Sequence, residues 1–173
     1  MLGLLSKERN SNFIYIKKGH MKLYLAQHAE AKTEEQDPER SLTPKGRKDA
    51  LLVAQAVKDL DLRIDQIRHS GKKRARQTAG IFGQFFSPKQ GVDESPGLGP
   101  VDDVKSVGDE VTAGNKNLML VGHLPFMERI AGYLITGDPD HKVIDFHNAG
   151  LVCLKRENEA WYVDWIITPE IGA

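Results

Sequence analysis

Leu118-Met119-Leu120-Val121 is an unbroken apolar run that passes directly into Gly122-His123-Leu124-Pro125. A strand apolar on both sides must be covered on both faces, a demand met by a parallel sheet flanked by helices. Leu23-Tyr24-Leu25-Ala26 repeats the pattern near the start of the chain. Between the two, Thr43 caps a predicted helix that opens on Pro44, and Ala50, Leu51, Val53, Ala54, Ala56, Val57 and Leu60 recur at helical spacing. A weaker strand spans Ile64 and Ile67 and ends near His69-Ser70. Ser70 is placed to cap a second helix with the apolar face Ala75, Ala79, Ile81, Phe82 and Phe85, stopped by Ser87-Pro88.

The remaining segments continue the alternation. Gly91 to Pro100 reads as loop with a short strand at its start, and Val101 to Thr112 as a mostly polar helix. Ile130, Ala131, Leu134 and Ile135 mark a helix ending at Gly137. His141 and His147 flank a short apolar strand, and Leu151-Val152-Cys153-Leu154 pairs with Trp161 to Ile167 in a hairpin turned at Glu157-Asn158-Glu159. Simple alternation places Trp161 and Trp165 on one strand face, as packing residues. The pattern predicts a three-layer α/β/α sandwich with a mostly parallel central sheet.

Composition limits what such a sheet can serve. The 173 residues suit one domain, which the clean strand after Met21 places at 21–173, with 1–20 as an N-terminal extension. Lys plus Arg and Asp plus Glu are 24 each, so a nucleic-acid or membrane-surface partner, which calls for a basic excess, is not expected. The single cysteine, Cys153, excludes an internal disulfide and reads as a small buried apolar residue. Met1 to Leu5 is interrupted by Lys7, Glu8 and Arg9, leaving no signal-peptide core, and no run approaches the roughly 20 residues of a membrane span. A cytoplasmic enzyme or small binding domain is expected.

In helix-flanked sheets chemistry gathers beyond the C-terminal ends of parallel strands. Those ends carry Gln27-His28-Ala29-Glu30, Ser70 followed by Lys72, Lys73, Arg74 and Arg76, and Gly122-His123. Cations in a first helical turn oppose the helix dipole unless an anion sits there. An imidazole can attack phosphorus while cations neutralise the equatorial oxygens. A metal reading of His28, Glu30, His69, Asp102, His123 and His141 lacks both the His pair at i and i+4 and any Cys–His zinc spacing, so neither metal nor cofactor is expected. Nucleotide-binding glycine loops and the serine-hydrolase elbow are missing too.

Four segments in order, Leu25 to Ala31, Arg40 to Gly46, Ser70 to Ala79 and Val121 to Pro125, resemble the histidine phosphatase superfamily, which includes the cofactor-dependent phosphoglycerate mutases. The short chain and the run after Arg40 are most similar to SixA-type protein-phosphohistidine phosphatases. The resemblance covers about Met21 to Pro169 and implies a phosphoglycerate mutase-like fold. It also implies His28 as the nucleophile, Arg40 and Arg74 as phosphoryl ligands, His123 as the second histidine, and metal-free turnover through a phosphohistidine enzyme intermediate.

Two positions depart from the family pattern. Gln27 stands where an arginine is usual; it offers an N–H to a phosphate oxygen but no charge, with Lys32, Lys72 or Lys73 as substitutes. Gly97 falls where larger members place a glutamate proton donor, leaving Asp102 as the candidate acid, beside Asp103, with helix capping as their ordinary use. The P–N bond of a phosphohistidine breaks without a strong dedicated acid, so the missing glutamate favours that substrate. The expected function is removal of phosphate from a phosphohistidine-bearing protein of the phosphotransfer or phosphorelay type, releasing inorganic phosphate. No long insertion separates the motifs, which suits an open site. The alternatives are a small-molecule phosphomonoesterase on the same fold and a catalytically weak phosphate- or phosphoprotein-binding module marked by Gln27.

Overall fold

The computed structural model describes residues 20–60 and 62–171. Expectations for the N-terminal extension fall on residues 1–19, outside the described residues. The first element is β1, Met21–Gln27. Next come α1 at Pro44–Ala56, a 3-10 turn at Lys58–Leu60, β2 at Gln66–His69 and α2 at Lys73–Phe86. Then follow β3 at Val92–Glu94, α3 at Val104–Ala113, β4 at Leu118–Gly122 and α4 at Phe126–Thr136. The chain closes with β5 at Leu151–Glu157 and β6 at Ala160–Ile167.

The six strands form one sheet in the order β3-β2-β4-β1-β5-β6. The first four run parallel, and β5 and β6 add an antiparallel edge. All five residues of β4 are buried, as an apolar run at the centre of a doubly covered sheet requires. Tyr24, Ala26, Met119 and Val121 point into one core layer with Ala50, Val53 and Ala54 of α1 and Ala75, Ala79 and Phe82 of α2. Leu23, Leu25, Leu118 and Leu120 point the other way, against Val104 and Val111 of α3 and Phe126, Met127 and Ile130 of α4. Each fully buried large side chain contributes about 1.5–3 kcal/mol. Cys153 is buried in the first layer, where burial pushes its thiol up to about 12 and leaves it inert.

Helix boundaries follow local chemistry. The Thr43 side chain accepts from the Gly46 N–H, and Pro44 occupies the first helical position, as its fixed φ favours. Asp103 caps α3 through the N–H groups of Lys105 and Ser106, so that helix starts three residues later than Val101. Gly137 in the left-handed region ends α4.

Three expectations are corrected. Ser70 does not cap α2: the cap position is Lys72, which makes no side-chain cap bond, and the Ser70 hydroxyl is turned to His123 instead. The segment between His141 and His147 is irregular, because no neighbouring strand pairs with it. Trp161 and Trp165 lie on opposite faces, in the second and first layers respectively. Cys153 opposes Trp165 while Leu154 opposes Val163, so Asp164 is an extra residue that reverses the alternation.

Candidate active site

Because β1, β2 and β4 are parallel neighbours, Gln27-His28, His69-Ser70 and Gly122-His123 emerge on one rim. The His28 N–H donates to the Gly122 carbonyl at 2.9 Å, joining the two histidine segments directly. The imidazole rings of His28 and His123 lie 4.9 Å apart, centre to centre, and are tilted by 58°. His28 Nδ1 is 2.8 Å from the Ala29 carbonyl, an acceptor only, so the proton sits on Nδ1. The Nε2 lone pair therefore faces outward, where it accepts from Arg74 Nε at 3.1 Å.

α2 holds the parts together through one face. The Thr78 hydroxyl accepts from the Ala29 N–H at 3.0 Å and donates to the Arg74 carbonyl at 2.8 Å, fixing the residue after His28 against the helix that carries Arg74. The Gln77 carboxamide oxygen accepts from the Leu42 N–H at 2.8 Å and so ties in the segment that carries Arg40. Positions 74, 77 and 78 are helix neighbours by their spacing of three and four.

Arg40 sits with φ at 53°, in the left-handed region that non-glycine residues adopt rarely. The turn around it is imposed by Asp37, whose carboxylate accepts from the Ser41 hydroxyl and from the N–H groups of Ser41 and Glu39. Those hydrogen bonds hold the Asp37 carboxyl at about 2. Arg40 Nε donates to the Lys32 carbonyl at 3.2 Å. Arg40, Lys72 and Arg74 then line one cavity of about 390 Å³ together with Glu34, Pro38, Glu39 and Lys73.

Both histidines are held neutral. Burial lowers His28 to about 4, opposed by its bond to the Ala29 carbonyl and reinforced by the charges of Arg74 and Arg40. Burial also lowers His123 to about 3, with help from His28, Arg74, Lys72 and Arg40. His123 Nε2 is 2.6 Å from the Ser70 hydroxyl, and its buried Nδ1 has no partner. If Ser70 donates to Nε2, the one imidazole proton lies on Nδ1 as a free donor.

These depressed values set a pH dependence of stability. An unfolded histidine titrates near 6.5 and the folded ones lower, so the unfolded chain binds more protons below pH 6.5. Stability is full above pH 6.5 and falls as pH drops through 6.5 toward 4, with buried His69 adding the same sign. The lowered carboxyls of Asp145 and Glu170 start from 3.8 and 4.5, so the upper part of that window belongs to the histidines. Urea unfolding at pH 8, 7, 6 and 5 should give a flat upper range and a falling midpoint at pH 6 and 5. A constant midpoint throughout would contradict the assignment of neutral imidazoles at these positions.

The structure thus gathers His28, His123, Arg40 and Arg74 at one rim. Gln27 is also there, but its Nε2 donates to Asn148 Oδ1 at 2.7 Å and its Oε1 is buried without a partner. The Asp102 carboxylate accepts from the Gly99 N–H at 2.7 Å and shapes the loop before α3. Sequence reasoning missed Ser70, Gln77, Thr78 and Asn148 as site-building residues. The helix spacing from Arg74 to Gln77 and Thr78 was a usable signal, whereas nothing local pairs Asn148 with Gln27. Among the described residues, no three His, Cys, Asp or Glu side chains gather as a metal site.

Residues 23–99 match the model of the histidine phosphatase superfamily (branch 1). No curated protein matches the chain in sequence. Among solved structures, the protein histidine phosphatase SixA complexed with tungstate superposes with a TM-score of 0.76 at 21% identity, covering 86% of this chain and 97% of that one. A chain of Agrobacterium tumefaciens provisionally assigned as phosphohistidine phosphatase SixA gives 0.71 at 26% identity, covering 86% and 98%. A mutant phosphoserine phosphatase of Entamoeba histolytica in complex with phosphoserine gives 0.66 at 17% identity, covering 87% and 98%. The fold is phosphoglycerate mutase-like, and the resemblance to SixA-type members of the superfamily stands. Match and fold together support phosphatase activity.

Proposed function

Because residues 23–99 carry the histidine phosphatase pattern on a SixA-like fold, we propose that this protein hydrolyses phosphohistidine on a partner protein. One observation carries the choice of substrate. Arg40, Lys72 and Arg74 gather at the rim of the two histidines, and Gly97 stands where larger members of the resembled family place a glutamate proton donor. Such a site stabilises a transferring phosphoryl group well and suits a leaving group that needs no strong acid.

His28 Nε2 attacks phosphorus in line, and its lone pair forms the new P–N bond. The substrate's own P–N bond breaks, and its electron pair stays on the departing imidazole nitrogen. When the other nitrogen of that imidazole carries a proton, the leaving group departs neutral. Nucleophile and leaving group are then alike, so positioning and charge neutralisation govern the barrier. As the phosphoryl group enters, Arg74 exchanges its bond to His28 Nε2 for a phosphoryl oxygen, and Arg40 holds a second oxygen. His123, with its ring centre 4.9 Å from that of His28, binds the phosphoryl group, and the Ala29 carbonyl stabilises the charge that grows on His28. Water then attacks the phosphohistidine at His28, releases inorganic phosphate and restores the free imidazole. The exposed positions of Arg40 and Lys72 suit a substrate presented on a protein surface.

The test compares kcat/KM on a phosphohistidine-bearing protein with that on phosphoserine and other alkyl phosphates, with chelator present. Because a P–N bond breaks without the positioned acid that an alkyl phosphate needs, the P–N substrate should be favoured by at least about 100-fold, the lower end of what such an acid supplies. Equal or better turnover of an alkyl phosphate would reject this reading in favour of a small-molecule phosphomonoesterase.

A further inference from the structure

A phosphoryl group in transfer spreads negative charge over three equatorial oxygens. Arg40 and Arg74 supply two cations to meet it. Gln27, on the strand end beside the nucleophile, supplies none: its Nε2 is given to Asn148, and its Oε1 is buried without a donor. Lys73, on the same cavity wall, is held by the Glu39 carboxylate. Lys72 differs from both. It lines the cavity with Arg40 and Arg74, and its ammonium makes no ion pair or hydrogen bond among the described residues. Its charge reaches the buried imidazole of His123, alongside the charges of Arg74 and Arg40.

Resting on the phosphatase reading above, we propose that Lys72 is the third phosphoryl-binding cation of this site and supplies the charge that Gln27 lacks. A lysine is suited to the position because its ammonium is a compact charge on a flexible stem. From an exposed starting point it swings onto an oxygen once the phosphoryl group is seated. Its contribution is therefore concentrated in binding, and it weakens as salt rises. Lys32, whose backbone carbonyl accepts from Arg40, does not line this cavity.

Tungstate binding measured by calorimetry at low salt tests this without relying on turnover. Lys72→Ala should weaken binding about tenfold, the scale of one charge-assisted contact, and Lys72→Arg should stay near wild type. Lys89→Ala removes an equal charge beyond the far end of α2 and should leave binding unchanged. Gln27→Arg placed in the Lys72→Ala background should restore most of the loss, while the same change in wild type adds little. That non-additivity marks two cations serving one role. The same ordering should appear in kcat/KM on the phosphohistidine substrate. Wild type that binds tungstate no more tightly than Lys72→Ala overturns the inference and leaves the phosphatase reading standing. Wild type that binds no tungstate overturns both. Should the Gln27→Arg chains fail to fold, seen by circular dichroism, the alanine and arginine variants at 72 decide alone: equal binding by all three lysine-site proteins rejects the proposal.

Discussion

His28→Ala should lower turnover by about 10⁴-fold or more if His28 is the proposed nucleophile, while oxyanion binding should stay within a few-fold of wild type. Removing a nucleophile forces water to attack the substrate directly, and what remains is the rate supplied by binding and charge alone. The substitution leaves the scaffold largely intact. The backbone bond from residue 28 to Gly122 does not involve the side chain, and the strut from Ala29 through Thr78 to Arg74 is untouched. Arg74 gains freedom, because its Nε no longer rests on the imidazole. Tungstate affinity near wild type beside collapsed kcat therefore separates a lost nucleophile from a lost site. A variant that keeps more than about a tenth of the wild-type rate would rule out His28 as the attacking group, given the scale of nucleophile deletions.

The second large effect concerns stability. A Cβ placed on Gly46 would overlap the Glu30 carbonyl oxygen and stand 2.9 Å from both the carbonyl carbon and the nitrogen of Glu30. These are backbone atoms, so no side chain can move aside. The first turn of α1 lies against the segment after His28, and Thr43 fastens the approach by donating its hydroxyl to Glu30 Oε1 at 2.7 Å. Gly46→Ala must therefore shift the helix or the strand end. It should cost about 2–4 kcal/mol, on the scale of severe overpacking, and lower Tm by roughly 5–15 °C. Gly80→Ala is the matched comparison: a Cβ there meets nothing within 4 Å. Within α2 that change should be neutral or stabilising, by up to about 1 kcal/mol. Thermal unfolding of the two variants side by side checks the argument, and an unchanged Tm for Gly46→Ala would contradict the close approach.

The layers of this protein were legible because both strong apolar runs, at Leu23 and Leu118, announced strands covered on two sides, and both became neighbours in the sheet. Their parallel pairing then put His28 and His123 on one rim, as the strand-end rule requires. The Trp161 and Trp165 faces were not legible, because a single extra residue at Asp164 reverses the alternation and no local pattern signals it. Ser70 misled for a related reason. A serine before a helix usually caps it, yet here the competing partner is His123, far off in sequence and brought close only by strand order. Gln27 showed the same limit. Its chemistry was readable, but its partner Asn148 comes from the loop ahead of β5, and only the antiparallel edge brings that loop to the rim. Asp102 was nominated by position in the chain, and its bond to the Gly99 N–H, the ordinary use of an aspartate in a turn, depends on a loop geometry that the sequence does not spell out.

In the proposed reaction the phosphoryl group passes through His28 Nε2 on its way from a partner's histidine to water. Rapid acid-free quenching of wild type mixed with a radiolabelled phosphohistidine protein, followed by mapping of the labelled peptide, tests it most directly. Transient label is expected on the peptide containing His28, none on that peptide in His28→Ala, and all label should leave as inorganic phosphate. Label released at the full rate without ever residing on His28 would contradict it.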